Sequence, residues 1–187
     1  TILFVGRVVA NKCQEDLLLV VERLRAMMRR PIKLVIVGGL GAGAEYADRV
    51  RQSCQDLGLD DAVDFVGKVD DRRLRAFFRG CDVYLCLSEH EGFGVPLVEA
   101  MQSDLPVIAY GAAAIPETVG EGGLVLTDKG PATVAAVLKV LAEEPALRRR
   151  LVVAGRRNVQ RFERSAAIHD RARASSHGLL RRPRSSQ

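Results

Sequence analysis

Short apolar runs alternate with amphipathic helical patterns along most of the chain. Six runs of four or five residues, bounded by polar or glycine-containing segments, predict six strands. They lie at Ile2–Val5, Lys33–Val37, Val63–Val66, Val83–Leu87, Pro106–Tyr110 and Gly123–Leu126. Between the runs, apolar residues recur at the spacing of helices that pack on a sheet. The alternation predicts an α/β fold with a doubly wound, mainly parallel six-stranded sheet that helices cover on both faces.

The common strand order of a doubly wound sheet places the first and fourth strands side by side, and ligands bind at the carboxyl ends of these strands. Here the first strand leads into a loop at Gly6–Lys12, and the fourth leads into the segment Ser88–Met101. If the chain has this strand order, two loops that are distant in sequence lie at the rim of one cavity. One loop brings two cations, and the other brings two carboxylates and a set of backbone amides.

The second of these loops contains Glu91 and Glu99, separated by seven residues across a glycine-rich turn. Pro96 suits the first turn of a helix, because its missing amide proton would be unpaired there anyway. Glu91 is therefore expected in the loop, and Glu99 about one turn into the helix. The amides of residues 93–95 and the positive end of the helix dipole favour an anion such as a phosphate.

Arg7 and Lys12 follow the first strand, and their two side chains are suited to bind one phosphate group together. Two carboxylates beside a phosphate-binding turn indicate a sugar-nucleotide site. When a sugar leaves a nucleoside diphosphate, negative charge builds on the leaving oxygen, and fixed donors stabilise it by roughly 3 to 4 kcal/mol each. Glu99 suits the vicinal hydroxyls of a ribose. Glu91 is expected to face the transferred sugar, where it either binds hydroxyls or stabilises positive charge at the anomeric carbon. The residues alone do not decide between these two roles.

Composition narrows the class of protein. The chain has 187 residues, 48% of them hydrophobic, and no apolar run approaches the roughly 20 residues needed to cross a bilayer. The net charge of +5 comes mostly from late arginines without interleaved aromatic residues, so no nucleic-acid partner is expected. The four cysteines form no CxxC pair and are expected to be reduced structural thiols, with no metal site. Because Thr1 leads directly into a buried strand, we expect a further segment upstream.

A second glycine-rich segment offers a competing interpretation. Gly39–Ala44 follows the second strand and matches the GxGxxG/A pattern of nicotinamide and flavin sites. That fingerprint normally follows the first strand, with an acidic residue at the end of the next one. Here the next strand ends in Gly67-Lys68-Val69 instead. We therefore interpret the segment as a flexible turn and keep an NAD(P)-binding domain as the less favoured alternative.

Several motifs, taken in order, resemble a known family. They are Gly6-Arg7, Asn11-Lys12, Phe65-Val66-Gly67, EGFGVPLVEAM within Ser88–Met101, and Ile115-Pro116-Glu117. From residue 1 to about 170, the chain resembles the carboxyl-terminal, donor-binding domain of glycosyltransferase family 4, the glycosyl transferases group 1. The resemblance implies the Rossmann-like C-terminal half of a GT-B fold. It also implies that a hexose is transferred from UDP- or GDP-hexose with retention of configuration, without a cofactor or a catalytic metal.

The resemblance also implies a role for each residue of the site. The diphosphate would be held by Arg7 and Lys12, the ribose by Glu99 and the sugar by Glu91. The remaining donor-binding residues would contribute backbone groups: Phe93, Gly94 and Val95 near the phosphate or sugar, Val66 and Gly67 near the base, and Gly6 in the loop that carries Arg7.

The acceptor-binding domain of such enzymes has no counterpart in these 187 residues. We divide the chain into a nucleotide-sugar-binding domain at 1–174 and a basic tail at 175–187 that is expected to be disordered. The expected partners are the nucleotide sugar, the N-terminal domain of the same enzyme, and a glycan, lipid or small-molecule acceptor. The isolated domain is expected to be inactive, and the full-length enzyme to be cytoplasmic, with peripheral contact to the inner membrane face as an option. The alternative function is a non-catalytic nucleotide-sugar-binding module.

Overall fold

The structure is a computed structural model that describes the backbone of residues 1–39 and 44–178 and the side chains of residues 1–39 and 45–162. Most of the glycine-rich segment Gly39–Ala44 therefore lies outside the described residues, and so do residues 179–187 of the predicted tail.

Six parallel strands form one sheet within the described part of the chain. They are β1 (Ile2–Val5), β2 (Leu34–Val37), β3 (Val63–Gly67), β4 (Val83–Cys86), β5 (Val107–Tyr110) and β6 (Leu124–Leu126). Their order across the sheet is β3-β2-β1-β4-β5-β6, with β1 next to β4. The predicted α/β fold and the assumed strand order are therefore confirmed, and each strand begins and ends within one residue of its predicted bounds.

Helices connect the strands and cover both faces of the sheet. They are a short 3-10 helix (Ala10–Lys12), α1 (Gln14–Met27), α2 (Ala44–Asp56), α3 (Asp71–Gly80), α4 (Val95–Gln102), α5 (Ile115–Val119), α6 (Pro131–Glu143) and α7 (Pro145–Gly178). Alternate residues of each strand point to opposite faces. Phe4 packs with residues of α1, α2 and α6, whereas Leu3 packs with residues of α3, α4, α5 and α7. Both side chains are fully buried.

The last helix is longer than the sequence pattern predicts. Its first part packs through Leu151 and Val159, which are buried. A Cβ atom on Gly155 would lie only 3.2 Å from Cγ of Met101, so this glycine lets α7 approach α4 closely. The helix continues to Gly178, so it includes residues 175–178, which the sequence pattern assigned to the tail. The arginine- and alanine-rich sequence before them favours continuation of the helix.

Three strands are held together at their carboxyl ends, where the loops begin. The amide of Gly6 donates to the carbonyl of Val37 at 2.9 Å, and the amide of Gly38 donates to the carbonyl of Gly67 at 2.9 Å. A Cβ atom on Gly38, whose φ is +148°, would lie 2.0 Å from the carbonyl oxygen of Gly6. Only glycine fits at this close approach, and the loop after β1 is thereby fixed in place.

Candidate functional site at the carboxyl edge of the sheet

The loop after β1 and the loop after β4 lie side by side. The backbone amide of Glu89 donates to the carbonyl of Asn11 at 2.9 Å, which joins residues 78 positions apart. The neighbouring side chain of Lys12 donates to the carbonyl of His90 at 3.2 Å. The strand order accounts for this meeting, because β1 and β4 are adjacent and parallel.

Lys12 and Glu91 form an ion pair across these two loops. Nζ of Lys12 lies 2.5 Å from Oε1 of Glu91, and the two side chains are only 14% and 17% exposed. Lys12 is the last residue of the 3-10 helix, which ends because Cys13 adopts the left-handed conformation with φ of 53°. Two opposite charges held at this burial interact more strongly than they would on the open surface. The structure therefore joins two of the residues predicted to surround the donor diphosphate and sugar.

Arg7 lies in the same loop, with its guanidinium exposed. Among the described residues it has no hydrogen-bond or ion-pair partner for its side chain. Its backbone is held from below, because the side-chain amide of Gln14 donates to the carbonyl of Arg7 at 2.9 Å. The backbone amide of Gln14, which is buried, donates to the hydroxyl of Tyr46 at 3.0 Å. The turn is thus fixed while its cation keeps all five donors for a ligand.

Glu99 lies in α4 and is half-buried beside a cleft of about 360 Å³ between α3 and α4. Burial raises the pKa of its carboxyl group, and the nearby charge of Asp71 raises it further. The phenol of Tyr84 is fully buried, and its hydroxyl donates to the carbonyl of Val5 at 3.2 Å. Burial raises the pKa of Tyr84, and the charges of Glu91 and Glu99 raise it further, whereas the hydrogen bond to Val5 lowers it. Both glutamates therefore lie within electrostatic range of one buried group.

Gly94 makes the turn that separates the two glutamates. It is the N-cap of α4 and adopts the left-handed conformation, with φ of 75° and ψ of 48°. A Cβ atom on it would lie 2.6 Å from Cδ1 of Leu97. On either side, Phe93 is 50% exposed and Val95 is 55% exposed. The start of α4 is therefore open to solvent at the rim that carries Glu91.

The segment around Phe93 is also held by two later helices. The hydroxyl of Thr118 in α5 donates to the carbonyl of Phe93 at 2.6 Å. The ring of Phe93 packs edge-on against Phe162 in α7, with the centroids 5.4 Å apart. Edge-to-face packing of this kind stabilises a contact by about 0.5–1.5 kcal/mol beyond the area that it buries.

Val66 and Gly67 line a separate cleft of about 130 Å³ at the carboxyl ends of β2 and β3. Val8, from the loop after β1, lines the same cleft. Gly67 has a φ of +75°, a conformation that favours glycine. These residues share the edge of the sheet with Lys12 and Glu91, although they lie on the opposite side of β1 from β4.

Cys86 is a buried thiol next to the ion pair. Its Sγ donates to Oγ of Ser88 at 3.3 Å and lies 3.9 Å from Oε1 of Glu91. Burial raises the pKa of Cys86, so the thiol stays protonated at neutral pH. No cluster of three or more His, Cys, Asp or Glu side chains that could hold a metal ion occurs in the described part of the chain.

Lys129 completes the site and was missed by the sequence analysis. It lies in the loop after β6, and its Nζ contacts Oε1 of Glu89 at 2.7 Å and Oδ2 of Asp16 at 2.8 Å. Burial alone would lower the pKa of Lys129, but its hydrogen bonds to the two carboxylates raise it overall. The sequence places Lys129 just after the last strand, and the carboxyl ends of all parallel strands share one edge, but its partners cannot be read from that position. A single lysine after a strand is otherwise ordinary surface charge.

The fold and the site define a Rossmann-like α/β domain of the kind found in GT-B glycosyltransferases. A comparison with protein families gives the narrower identification. The chain belongs to the glycosyl transferases group 1 family, whose model matches residues 1–158.

Relatives within the family match the chain over only part of their own length. The chain is 31% identical over 166 residues to D-inositol 3-phosphate glycosyltransferase of Streptomyces avermitilis, and 31% identical over 185 residues to the protein of the same name from Frankia alni. These alignments cover 86% and 95% of this chain, but only 36% and 45% of the two relatives. The chain therefore spans less than half the length of either relative.

Solved structures share the fold. Sucrose-phosphate synthase from Thermosynechococcus elongatus matches with a TM-score of 0.79 and 28% identity, covering 95% of this chain and 45% of that one. Anabaena Alr3699/HepE, in complex with UDP and glucose, matches with a TM-score of 0.77 and 24% identity, covering 94% and 48%. The C-terminal domain of a glycosyl transferase group 1 family protein (LpcC) from Francisella tularensis matches with a TM-score of 0.69 and 24% identity, covering 85% and 83%. At 24% identity, the latter two matches show the fold alone.

None of the helices in the described residues is both long enough and apolar enough to span a membrane.

Proposed function

We propose that this chain is the carboxyl-terminal, donor-binding half of a retaining, metal-independent glycosyltransferase of family 4. The full-length enzyme transfers a hexose from UDP- or GDP-hexose to a glycan, lipid or small-molecule acceptor. The observation that carries the proposal is the contact between Lys12 and Glu91 where the loops after β1 and β4 meet. Membership of the glycosyl transferases group 1 family supports glycosyl transfer as the class of reaction.

In the proposed reaction, the bond between the anomeric carbon and the diphosphate oxygen breaks, and the acceptor oxygen bonds to that carbon on the same face. The hydroxyl proton of the acceptor passes to the departing diphosphate. Negative charge develops on the departing diphosphate, where Arg7 and Lys12 stabilise it without rearrangement. Glu99 accepts hydrogen bonds from the ribose. Glu91 faces the hexose, while backbone amides at the start of α4 contact its phosphate or hydroxyls.

The solved structures and relatives support the donor and the missing half. Anabaena Alr3699/HepE holds UDP and glucose, which supports a nucleoside diphosphate hexose as the ligand class. Because this chain spans less than half of its named relatives, we assign acceptor binding to the N-terminal domain of the same enzyme. All four cysteines are free thiols, which suits a cytoplasmic location.

Calorimetric titration of the chain with UDP, GDP, their hexose conjugates and NAD⁺ tests the donor class. We expect one nucleotide series to bind, with the hexose conjugate binding more tightly than the bare nucleotide, and EDTA to leave the affinity unchanged. Binding of NAD⁺ alone, abolished by Gly41→Val, would instead support the nicotinamide alternative. The matched control is Gly80→Ala, because a Cβ atom at Gly80 meets nothing within 4 Å.

The non-catalytic alternative needs a separate test in the full-length protein. Turnover of the nucleotide sugar that the chain binds, with an α-configured product from an α-configured donor, supports a retaining transferase. Binding without turnover in the presence of glycan, lipid and polyol acceptors supports a nucleotide-sugar-binding module.

A further inference from the structure

Lys129 is the most highly connected cation among the described residues. Its ammonium group contacts Oε1 of Glu89 at 2.7 Å, Oδ2 of Asp16 at 2.8 Å and Sγ of Cys13 at 3.5 Å. It also lies 5.7 Å from the ring centroid of Tyr110. An ammonium group has three donors, and here all three have an acceptor. The side chain is therefore fixed in one direction and has no donor left for a substrate.

These contacts reach the two loops that carry the Lys12–Glu91 pair. Cys13 is the residue directly after Lys12, and Glu89 is two residues before Glu91. Lys129 itself belongs to neither loop, because it follows β6 at the far end of the sheet order. One ammonium group thus contacts a neighbour of Lys12 and a neighbour of Glu91.

Removal of this cation would leave Asp16 and Glu89 facing each other. Both carboxylates contact the same nitrogen, so without it two negative charges remain side by side. Glu89 is 60% exposed and Asp16 is 31% exposed, so Glu89 has more room to swing away. The loop that leads to Glu91 would then keep the backbone hydrogen bond from Glu89 to Asn11 but lose its side-chain link to Lys129.

We propose that Lys129 is a positioning residue that holds Glu89, and through it the loop that carries Glu91, next to Lys12. This inference rests on the proposed function, because it assigns the consequence to donor binding. Lys129 acts through Glu89 and does not touch the donor. Loss of Lys129 should therefore reduce the affinity that the hexose adds more than the affinity for the nucleotide itself.

The test compares Lys129→Met with Lys129→Arg, Glu89→Gln and the matched control Lys139→Met. Lys139 is also paired with a carboxylate, at 3.6 Å from Glu143, but it lies on α6. For each variant, calorimetry gives the affinity for the nucleotide that the unsubstituted chain selects and for its hexose conjugate. Hydrogen exchange of the amides of residues 87–95 reports the loop itself, without any ligand.

We expect Lys129→Met to reduce the advantage of the hexose conjugate over the bare nucleotide about tenfold and to speed exchange in residues 87–95. Glu89→Gln should give the same loss, the double variant no further loss, and Lys129→Arg a partial rescue. Lys139→Met should change neither quantity. A merely structural lysine would lower the melting temperature and leave the ratio of the two affinities unchanged, which would overturn the proposal.

Failure of the proposed function and failure of the positioning role of Lys129 give different results. If the unsubstituted chain binds no nucleotide sugar, the proposed function is contradicted, and this inference falls with it. If the chain binds its donor and Lys129→Met keeps the full hexose advantage, only the positioning role is wrong. Additive losses in Lys129→Met and Glu89→Gln would also contradict it, because residues that act through one contact are not additive.

Discussion

At the scale of single residues, the site depends on two opposite charges that share a mostly buried space. Lys12 and Glu91 are 14% and 17% exposed, so each charge depends on the other for much of its solvation. Removal of one partner from such a pair costs more than removal of both, because a lone charge stays buried. The pair therefore links folding stability to the proposed chemistry.

Lys12→Met is expected to lower the free energy of unfolding by about 2 kcal/mol or more, since it leaves the Glu91 carboxylate without its cation. The double variant Lys12→Met/Glu91→Leu should be more stable than this single variant. Urea unfolding of the two variants and the unsubstituted chain measures both effects. A double variant no more stable than Lys12→Met would contradict the pairing of the two charges.

Glu99 gives a pH prediction. Its folded-state pKa is raised above the ordinary glutamate value by burial and by Asp71. The protonated form can no longer accept hydrogen bonds from both ribose hydroxyls, so donor affinity should fall as pH drops from 7 toward 4.5, the ordinary value. Calorimetry across that range should show the fall, and Glu99→Gln should remove it. An affinity equally flat with pH in both proteins would contradict the role of Glu99.

The same shift has the opposite consequence for stability. The Glu99 carboxyl has a higher pKa in the folded chain than in the unfolded chain, so the folded chain binds this proton more tightly. The stability that Glu99 contributes is therefore present at low pH and lost as pH rises through its folded-state pKa. Donor affinity and this part of the stability should therefore change in opposite directions over one pH window.

At the scale of secondary-structure elements, α4 begins where the backbone must turn sharply. Gly94 supplies the left-handed N-cap, and a Cβ atom on it would meet Leu97 at 2.6 Å. Gly92, two residues earlier, has open space around its Cβ position. The same loop therefore contains one glycine that the structure requires and one that it does not.

Gly94→Ala is expected to lower the free energy of unfolding by about 1–3 kcal/mol, since it adds left-handed strain and a contact with Leu97. Gly92→Ala should stay within about 0.5 kcal/mol of the unsubstituted chain. Chemical denaturation compares the two. Equal effects would mean that the turn does not depend on the backbone conformation of Gly94.

The strands could be predicted from sequence because each is a short, nearly continuous apolar run, such as Leu34–Val37. The length of α7 could not, because the apolar pattern of the sequence weakens after Leu151 and helix propensity is the main signal there. Lys129 could not be assigned either. Its importance comes from Asp16 and Glu89, which lie more than 35 residues away in sequence and meet only in the folded chain.

At the scale of the whole molecule, the chain has a buried core on each face of its sheet. It spans less than half the length of its named relatives. The buried layers on both faces of the sheet indicate that these residues fold as a unit. Under the proposed function, the acceptor side of the cleft is assigned to the part of the relatives that this chain does not match.

The chain alone is therefore expected to bind its donor yet to transfer hexose at least about a thousandfold more slowly than the full-length enzyme, because it lacks an oriented acceptor. Radiolabelled donor and a shared acceptor measure both rates. Equal rates would show that the chain is a complete transferase, which would overturn the assignment of acceptor binding to a second domain.

The most direct test of the central claim is a crystal structure of the chain with the hexose conjugate of the nucleotide that it selects. We expect the diphosphate between Arg7 and Lys12, the ribose against Glu99 and the hexose facing Glu91. A nucleotide bound instead over Gly39–Ala44, with the Lys12–Glu91 contact untouched by any ligand atom, would contradict it.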